Sequence, residues 1–271
     1  MPRMAIKKEL LAPPLSNRYS LVGTAFDYLM RFYLKRLNPD ALTAPWVAEQ
    51  VLADPYSPLL QDVIIDGGTG QVLSYRETAF THTAHSIIDQ AKDEYSQYLS
   101  AGRITGQLIE STLRLAQLDP ILRAGIVGED LGEVHREDVD DLRALISIVE
   151  PQSFKAVRLC LLNPTFGETS HLVGGADADL VIDDMIVDIK TTKNPRFQRD
   201  YFDQLIGYYI LHEIGGVGGL EPRPEISRIA VYFSRQAFLG TLDLRDIISQ
   251  ETFPAFVHWF IERAKEEHAA R

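Results

Sequence analysis

Apolar residues recur three or four positions apart through most of the first half of the chain, a spacing that predicts helices burying one face each. The predicted helices cover residues 20–37, 45–52, 77–99, 104–118 and 138–149. Asn38-Pro39 ends the first of these, since proline cannot continue a helix. Residues 63–65 and 71–73 are predicted either as two short strands or as parts of a loop.

Short, continuous apolar runs replace this spacing in the second half and are typical of buried strands. Strands are predicted over residues 155–162, 172–182, 185–190 and 228–233, and helices over 197–213 and 253–270. This order predicts an α/β fold with a mixed central sheet. We expect a helix-rich region over residues 1–150 that packs on a core over 151–271, the two forming a single compact unit.

Composition narrows the class of protein. The chain has 271 residues, of which 45% are apolar and 24% charged, as in globular proteins. No apolar run is long enough to span a bilayer, so we expect no membrane partner. The single cysteine, Cys160, excludes an internal disulfide and a cysteine-based zinc or iron–sulfur site. It favours a cytoplasmic location and a place in the core.

Charge limits how the chain could meet nucleic acid. The 27 basic and 38 acidic residues give a net charge of −11, which opposes non-specific coating of a polyanion. Contacts would have to come from bound cations and a local basic patch. The best basic cluster follows residue 190 and contains Lys193, Arg196 and Arg199. These three residues are predicted to bind a phosphate backbone, with solvated loop charge as the alternative.

Acidic residues flank a predicted hairpin in residues 174–190. If Asp183-Asp184 is a two-residue turn, opposite positions pair in the order 182 with 185, 179 with 188, and 177 with 190. Opposite residues project to one face about 5 Å apart at Cβ. The predicted polar face therefore holds Asp177, Asp179, Asp188 and Lys190.

Two carboxylates that face each other repel unless a cation lies between them. Mg²⁺ typically takes one or two protein carboxylates together with waters and phosphate oxygens. A lysine beside the ion can hold or activate water, or offset charge on a phosphate. The hairpin thus contains the parts of a phosphodiester-cleaving site. An amphipathic hairpin with a solvated polar face is the alternative.

The segment resembles the PD-(D/E)XK nuclease superfamily. Asp188-Ile189-Lys190 matches the acid-x-Lys element, and Lys190 is the only one of the eight lysines with an acid two residues before it. The strand with Asp179 resembles the first-acid strand, although the proline of the family pattern is missing. Gln204 and Tyr208 match the Gln-x-x-x-Tyr helix motif of the RecB-like branch, which includes CRISPR-associated RecB-type nucleases. The resemblance spans residues 154–234.

The resemblance implies a restriction-endonuclease-like core and a nuclease that depends on Mg²⁺ or Mn²⁺, with DNA favoured as substrate. Asp179, Asp188 and the Ile189 carbonyl would hold the metal, and Lys190 would position the attacking water. Gln204 would orient water or a phosphate, and Tyr208 would contact substrate or support Lys190.

Several assignments stay open. Asp177 is an alternative first ligand, a second ligand or a partner of Lys190. Relatives often supply a further ligand from an N-terminal helix, for which Asp27 and Glu110 are candidates. His82, His85 and Asp89 could share one helix face that binds a metal, or simply be exposed.

The sequence also leaves the class of activity open between alternatives. One is a catalytically silent nuclease-fold subunit of a nucleic-acid-processing or defence complex, and another is a hydrolase of a small phosphoester. Exonuclease or endonuclease action, a homo-oligomer and a protein partner are all undecided.

Overall fold

The computed structural model describes residues 2, 4, 6, 9–53, 57, 59–67, 71–125, 127–128 and 130–268. In chain order, the α-helices of this part are α1 (Tyr19–Leu37), α2 (Val47–Gln50), α3 (Ala79–Ala101), α4 (Gly106–Ala124), α5 (Arg136–Ser147), α6 (Arg199–Gly215) and α7 (Phe253–His268). The strands are β1 (Leu42–Thr43), β2 (Gln61–Ile65), β3 (Val72–Glu77), β4 (Cys160–Leu162), β5 (Leu180–Ile182), β6 (Met185–Lys190), β7 (Arg228–Phe233) and β8 (Phe238–Asp243).

The chain divides into two compact units. The first contains Met1–Pro13, Tyr33–Ala44 and Ser147–Arg271, and the second contains Pro14–Phe32 and Pro45–Ile146. Helix α1 contributes residues to both. The division into a 1–150 region and a 151–271 core stays a prediction.

A six-stranded mixed sheet forms the centre of the first unit, in the order β1-β4-β5-β6-β7-β8. Strand β5 is antiparallel to its two neighbours β4 and β6, whereas β6 and β7 are parallel and are connected through α6. The turn at Asp183-Asp184 is confirmed, because Ile182 pairs with Met185. The predicted α/β class, with a mixed sheet flanked by helices, is also confirmed.

Both faces of the sheet are covered near β6. On one face, Ile186 and Val231 pack in a buried cluster with Leu205 of α6. On the other, Phe154 lies edge-on to Tyr232 with ring centroids 4.8 Å apart. Side chains alternate along a strand, so Asp188 and Lys190 share the α6 face with Ile186.

The strand predicted over residues 172–182 is wrong for most of its length. Gly167–Val173 form a 3₁₀ helix, and β5 begins only at Leu180. The strand predicted over 155–162 is likewise reduced to Cys160–Leu162. Its first backbone N–H groups bond elsewhere: those of residues 157, 158 and 159 donate to the Asp183 carboxylate at 2.7–3.1 Å.

Strands β1 and β8 are not among the predicted elements. β1 has only two residues, and β8 is partly exposed with only Gly240 buried, so neither carries a clear apolar pattern. Cys160 is buried as predicted, and burial raises the pKa of its thiol to about 11.

The described part of the second unit contains α-helices and a two-stranded hairpin of β2 and β3, which confirms the strand alternative for that segment. His82, His85 and Asp89 are exposed on α3. In the part of the chain that the structure describes, none of the helices has the length and apolar content needed to cross a bilayer.

Candidate active site

Strand β6 presents Asp188 and Lys190 on one face, two residues apart. The Asp188 side chain is 3% exposed and the Lys190 side chain 22%. Lys190 Nζ lies 2.8 Å from Asp188 Oδ2. The contact is an ion pair, and that buried oxygen has no further hydrogen-bond donor among the described residues.

Asp179 reaches the same strand from the residue before β5. Its Oδ2 accepts a hydrogen bond of 2.6 Å from the Ile189 backbone N–H. The last ladder pair of the hairpin joins Leu180 to Val187, so Asp179 lies one position beyond it, next to Asp188. The structure therefore brings these two carboxylates together, as the hairpin pattern predicts.

Charge repulsion and burial both act on Asp188. Loss of water around the carboxylate raises its pKa well above the ordinary value, and the charge of Asp179 raises it further. The ammonium of Lys190 opposes both effects. A divalent cation between the carboxylates would compensate a buried negative charge that the protein alone compensates only in part.

Helix α6 adds two polar side chains to this pair. Lys190 Nζ donates to Gln204 Oε1 at 3.0 Å, and Gln204 Nε2 donates to the Tyr208 hydroxyl at 2.7 Å. Residues four apart share one face of a helix, which explains why Gln204 and Tyr208 meet. Asp188, Lys190, Gln204 and Tyr208 thus form one continuous polar network.

Tyr208 keeps its phenol proton in this setting. Burial raises the pKa of Tyr208, and the carboxylates of Asp179, Asp188 and Asp177 raise it further, while the hydrogen bond from Gln204 lowers it. All three acids of the predicted polar face therefore act on one phenol.

The predicted pairing of Asp177 with Lys190 is wrong. Asp177 forms an antiparallel bridge with Thr165 instead. The chain leaves the ladder before Leu180, because the Ala178 N–H donates to the Pro164 carbonyl at 3.0 Å. Asp177 is exposed, and its assignment as a metal ligand stays a prediction.

The basic segment lies between β6 and the start of α6. Lys193, Arg196 and Arg199 are all exposed, and Arg199 forms an ion pair of 3.1 Å with Asp203. The backbone of the segment is anchored, since Gln236 Nε2 donates to the Thr192 carbonyl at 3.3 Å. Nucleic-acid contact by these residues stays a prediction.

The two candidates for an additional ligand belong to the second unit. Glu110 forms an ion pair of 3.1 Å with Arg114 on α4. The Asp27 carbonyl accepts a hydrogen bond from Arg31 Nε on α1. Their roles as ligands stay predictions.

The fit of a metal can be judged from the donors present. Among the described residues, no three or more His, Cys, Asp or Glu side chains are grouped to hold a metal ion. Mg²⁺ does not require such a group, since one or two carboxylates with waters suffice. Asp179 keeps acceptor capacity beyond the bond from Ile189, because an ionised carboxylate has about four acceptor sites. The Asp179 and Asp188 carboxylates therefore fit a hard divalent cation, and a role for the Ile189 carbonyl stays a prediction.

Two aromatic residues contact this network without having been predicted. The Tyr201 ring lies with its centroid 4.9 Å from Lys190 Nζ, and Phe166 stacks on Tyr208 at 5.4 Å. The helical spacing of Tyr201 with Gln204 and Tyr208 could have indicated the first. Phe166 lies in an irregular segment and carries no such signal.

Comparisons of the chain with family models, with curated proteins and with solved structures give no match. The function is therefore inferred from the residues of the site.

Proposed function

We propose that this protein is a metal-dependent nuclease that hydrolyses phosphodiester bonds, with DNA as its substrate. The observation that carries the proposal is the continuous network from Asp188 through Lys190 and Gln204 to Tyr208, with the Asp179 carboxylate beside Asp188. A solvated polar face would not require a 97% buried acid in contact with a half-buried lysine.

The topology around the network supports a restriction-endonuclease-like core. Three antiparallel strands, β4 to β6, are followed by the crossover helix α6 and the parallel strand β7. This arrangement lets one strand supply the acid and lysine while the next helix covers them.

Each side chain has a role that follows from its position. Asp179 and Asp188, with the Ile189 carbonyl, would hold Mg²⁺ or Mn²⁺. The ion supplies Lewis acidity and lowers the pKa of a bound water. Lys190 donates hydrogen bonds to the attacking water or to a phosphate oxygen, and Gln204 fixes the ammonium. Tyr208, as a neutral phenol, contacts the phosphate.

In this proposal the substrate enters along the exposed basic segment that follows Lys190. Lys193, Arg196 and Arg199 would contact backbone phosphates, which position a nucleic acid without reading its sequence. Such local contacts are needed because the chain as a whole has a net charge of −11, which repels a polyanion. The single cysteine makes the cytoplasm the proposed location.

The test is cleavage of DNA with single-stranded and double-stranded ends, with Mg²⁺, Mn²⁺ or a chelator. We expect cleavage only with the divalent ion, and its loss in Lys190→Ala. Lys155→Ala, at an exposed lysine of the same unit, is the control and should cleave normally. Circular dichroism would show that each variant is folded.

Two outcomes would replace the proposal. Binding of DNA without cleavage under any metal would indicate a catalytically silent binding subunit. Turnover of a small phosphoester with no action on any polynucleotide would indicate a different hydrolase.

A further inference from the structure

We propose that Tyr201 is a positioning residue that holds the Lys190 ammonium through its aromatic face. The inference rests on the proposed function, in which Lys190 donates hydrogen bonds to the attacking water or to a phosphate oxygen. The Tyr201 ring centroid lies 4.9 Å from Lys190 Nζ, within the range at which a cation is attracted to an aromatic ring.

The ammonium is held from several directions. Asp188 Oδ2 lies 2.8 Å away and Gln204 Oε1 lies 3.0 Å away, while the Tyr201 ring faces it from α6. Gln204 accepts a directed hydrogen bond from the ammonium, and Asp188 adds an ion pair. The ring contributes attraction over a broad face. A long, flexible lysine side chain is thereby restricted to one place.

Tyr201 is itself supported so that its ring can act in this way. It is half-buried, and its ring packs against Phe233 of β7 with centroids 6.4 Å apart. Gln204 follows three residues later, so the same face of α6 delivers the ring and the amide. The contact with Lys190 involves the ring, and the inferred role therefore does not need the Tyr201 hydroxyl.

Three variants separate the ring from mere packing. Tyr201→Leu keeps an apolar side chain but removes the aromatic face, and Tyr201→Phe keeps the face but removes the hydroxyl. Tyr209→Leu is the matched control, because Tyr209 lies on the same helix, is also half-buried, and stacks on Phe253 at 5.4 Å. Thermal unfolding of all three would establish that they fold.

The kinetic expectation concerns kcat more than KM. Tyr201→Leu should lower kcat about tenfold and change KM less than about twofold, because a loosened lysine is misplaced for the reaction. Tyr201→Phe should restore most of the lost rate, and Tyr209→Leu should match the unaltered protein. Equal losses in the Leu and Phe variants, or full activity in Tyr201→Leu, would overturn the inference.

A second measurement does not depend on cleavage. Acetylation of Lys190 by acetic anhydride, followed by mass spectrometry, reports how tightly the amine is held, with the exposed Lys155 as internal reference. The ratio of Lys190 to Lys155 labelling should rise several-fold in Tyr201→Leu and return toward the original value in Tyr201→Phe. An unchanged ratio in the Leu variant refutes the inference even if the protein is a nuclease. A raised ratio in a protein that never cleaves supports the contact while rejecting the proposed function.

Discussion

Two of the antiparallel hairpins in the described chain, β2–β3 and β5–β6, both contain apolar runs but lie in opposite environments. In the β2–β3 hairpin, Val63, Ile64 and Ile65 are 50%, 42% and 56% exposed. In the β5–β6 hairpin every residue from Leu180 to Ile182 is buried, as are the first five residues of β6. The candidate site belongs to the buried hairpin.

The difference lies in what surrounds each hairpin. β5 and β6 have further strands on both sides, whereas β2 and β3 form a two-stranded sheet among the described residues. An apolar strand is buried only when neighbours cover it, and a carboxylate at its end is then buried with it. That cover raises the pKa of Asp188 and gives the buried hairpin chemistry that the exposed hairpin does not share.

The largest expected effect separates the acids of the two hairpins. Asp188→Asn should reduce metal-dependent cleavage by about 10³-fold, because it removes a charge from the proposed metal site. Folding stability should be retained, since the substitution also removes a buried charge that burial disfavours. Asp62→Asn, at an exposed position of β2, should leave both cleavage and stability unchanged. Cleavage by the Asp188 variant at the original rate would contradict the assignment.

The apolar positions give the next largest difference. Ile186→Ala should lower the free energy of unfolding by about 2–5 kcal/mol, because Ile186 is fully buried. Ile64→Ala, in the exposed hairpin, should cost less than about 1 kcal/mol. Urea denaturation of the two variants measures this contrast. Similar losses would mean that the β2–β3 hairpin is covered in solution.

The turn of the buried hairpin should give a smaller, pH-dependent effect. Hydrogen bonding from Arg228 lowers the pKa of Asp184 to about 2, against about 3.9 in an unfolded chain. The contribution is therefore present above about pH 4 and is lost as the pH falls toward 2. Since Arg228 is 41% exposed, solvent screening limits it to about 1 kcal/mol.

Asp184→Asn should remove this acid-sensitive part of the stability, as thermal unfolding between pH 2 and 6 would show. The control is Asp243→Asn, which removes the half-buried partner of the exposed Arg245 and should have a smaller effect. An Asp184 variant with the original acid profile would show that the turn pair contributes nothing.

The smallest effect is expected at the basic segment next to the buried hairpin. Lys193→Ala and Arg196→Ala should each weaken DNA binding a few-fold and reduce the salt dependence of log Kd by about one ion each. Titrations over a range of salt concentrations measure this slope. A slope that does not change would show that these side chains do not contact DNA phosphates.

The sequence predicts those parts of the site that depend on local spacing. The two-residue turn, strand β6 and the pairing of Gln204 with Tyr208 along α6 follow from chain spacings of two and four. The placement of Asp179 beside Asp188 follows from the turn. These features need no knowledge of distant segments.

Features that depend on distant partners could not be predicted. β5 is short because the residues before it bond to the segment between β4 and the 3₁₀ helix: the Ala178 N–H donates to the Pro164 carbonyl, and Asp177 forms a bridge with Thr165. β4 is short because the backbone N–H groups of residues 157–159 donate to the Asp183 carboxylate and are not available to a neighbouring strand. The contacts of Tyr201 and Phe166 with the network arise only when the helix and the irregular segment pack on the sheet.

The glutamine in the middle of the network gives it a direction. An ammonium group can only donate, so the amide oxygen of Gln204 must face Lys190 and the amide nitrogen must face Tyr208. The phenol oxygen then receives a hydrogen, and its own hydrogen points away from the amide. A glutamate at this position would accept from both neighbours and turn that hydrogen inward. The Gln204 amide thus fixes the direction of the hydrogen bonds in the network. The Tyr208 hydroxyl is the donor left at its end.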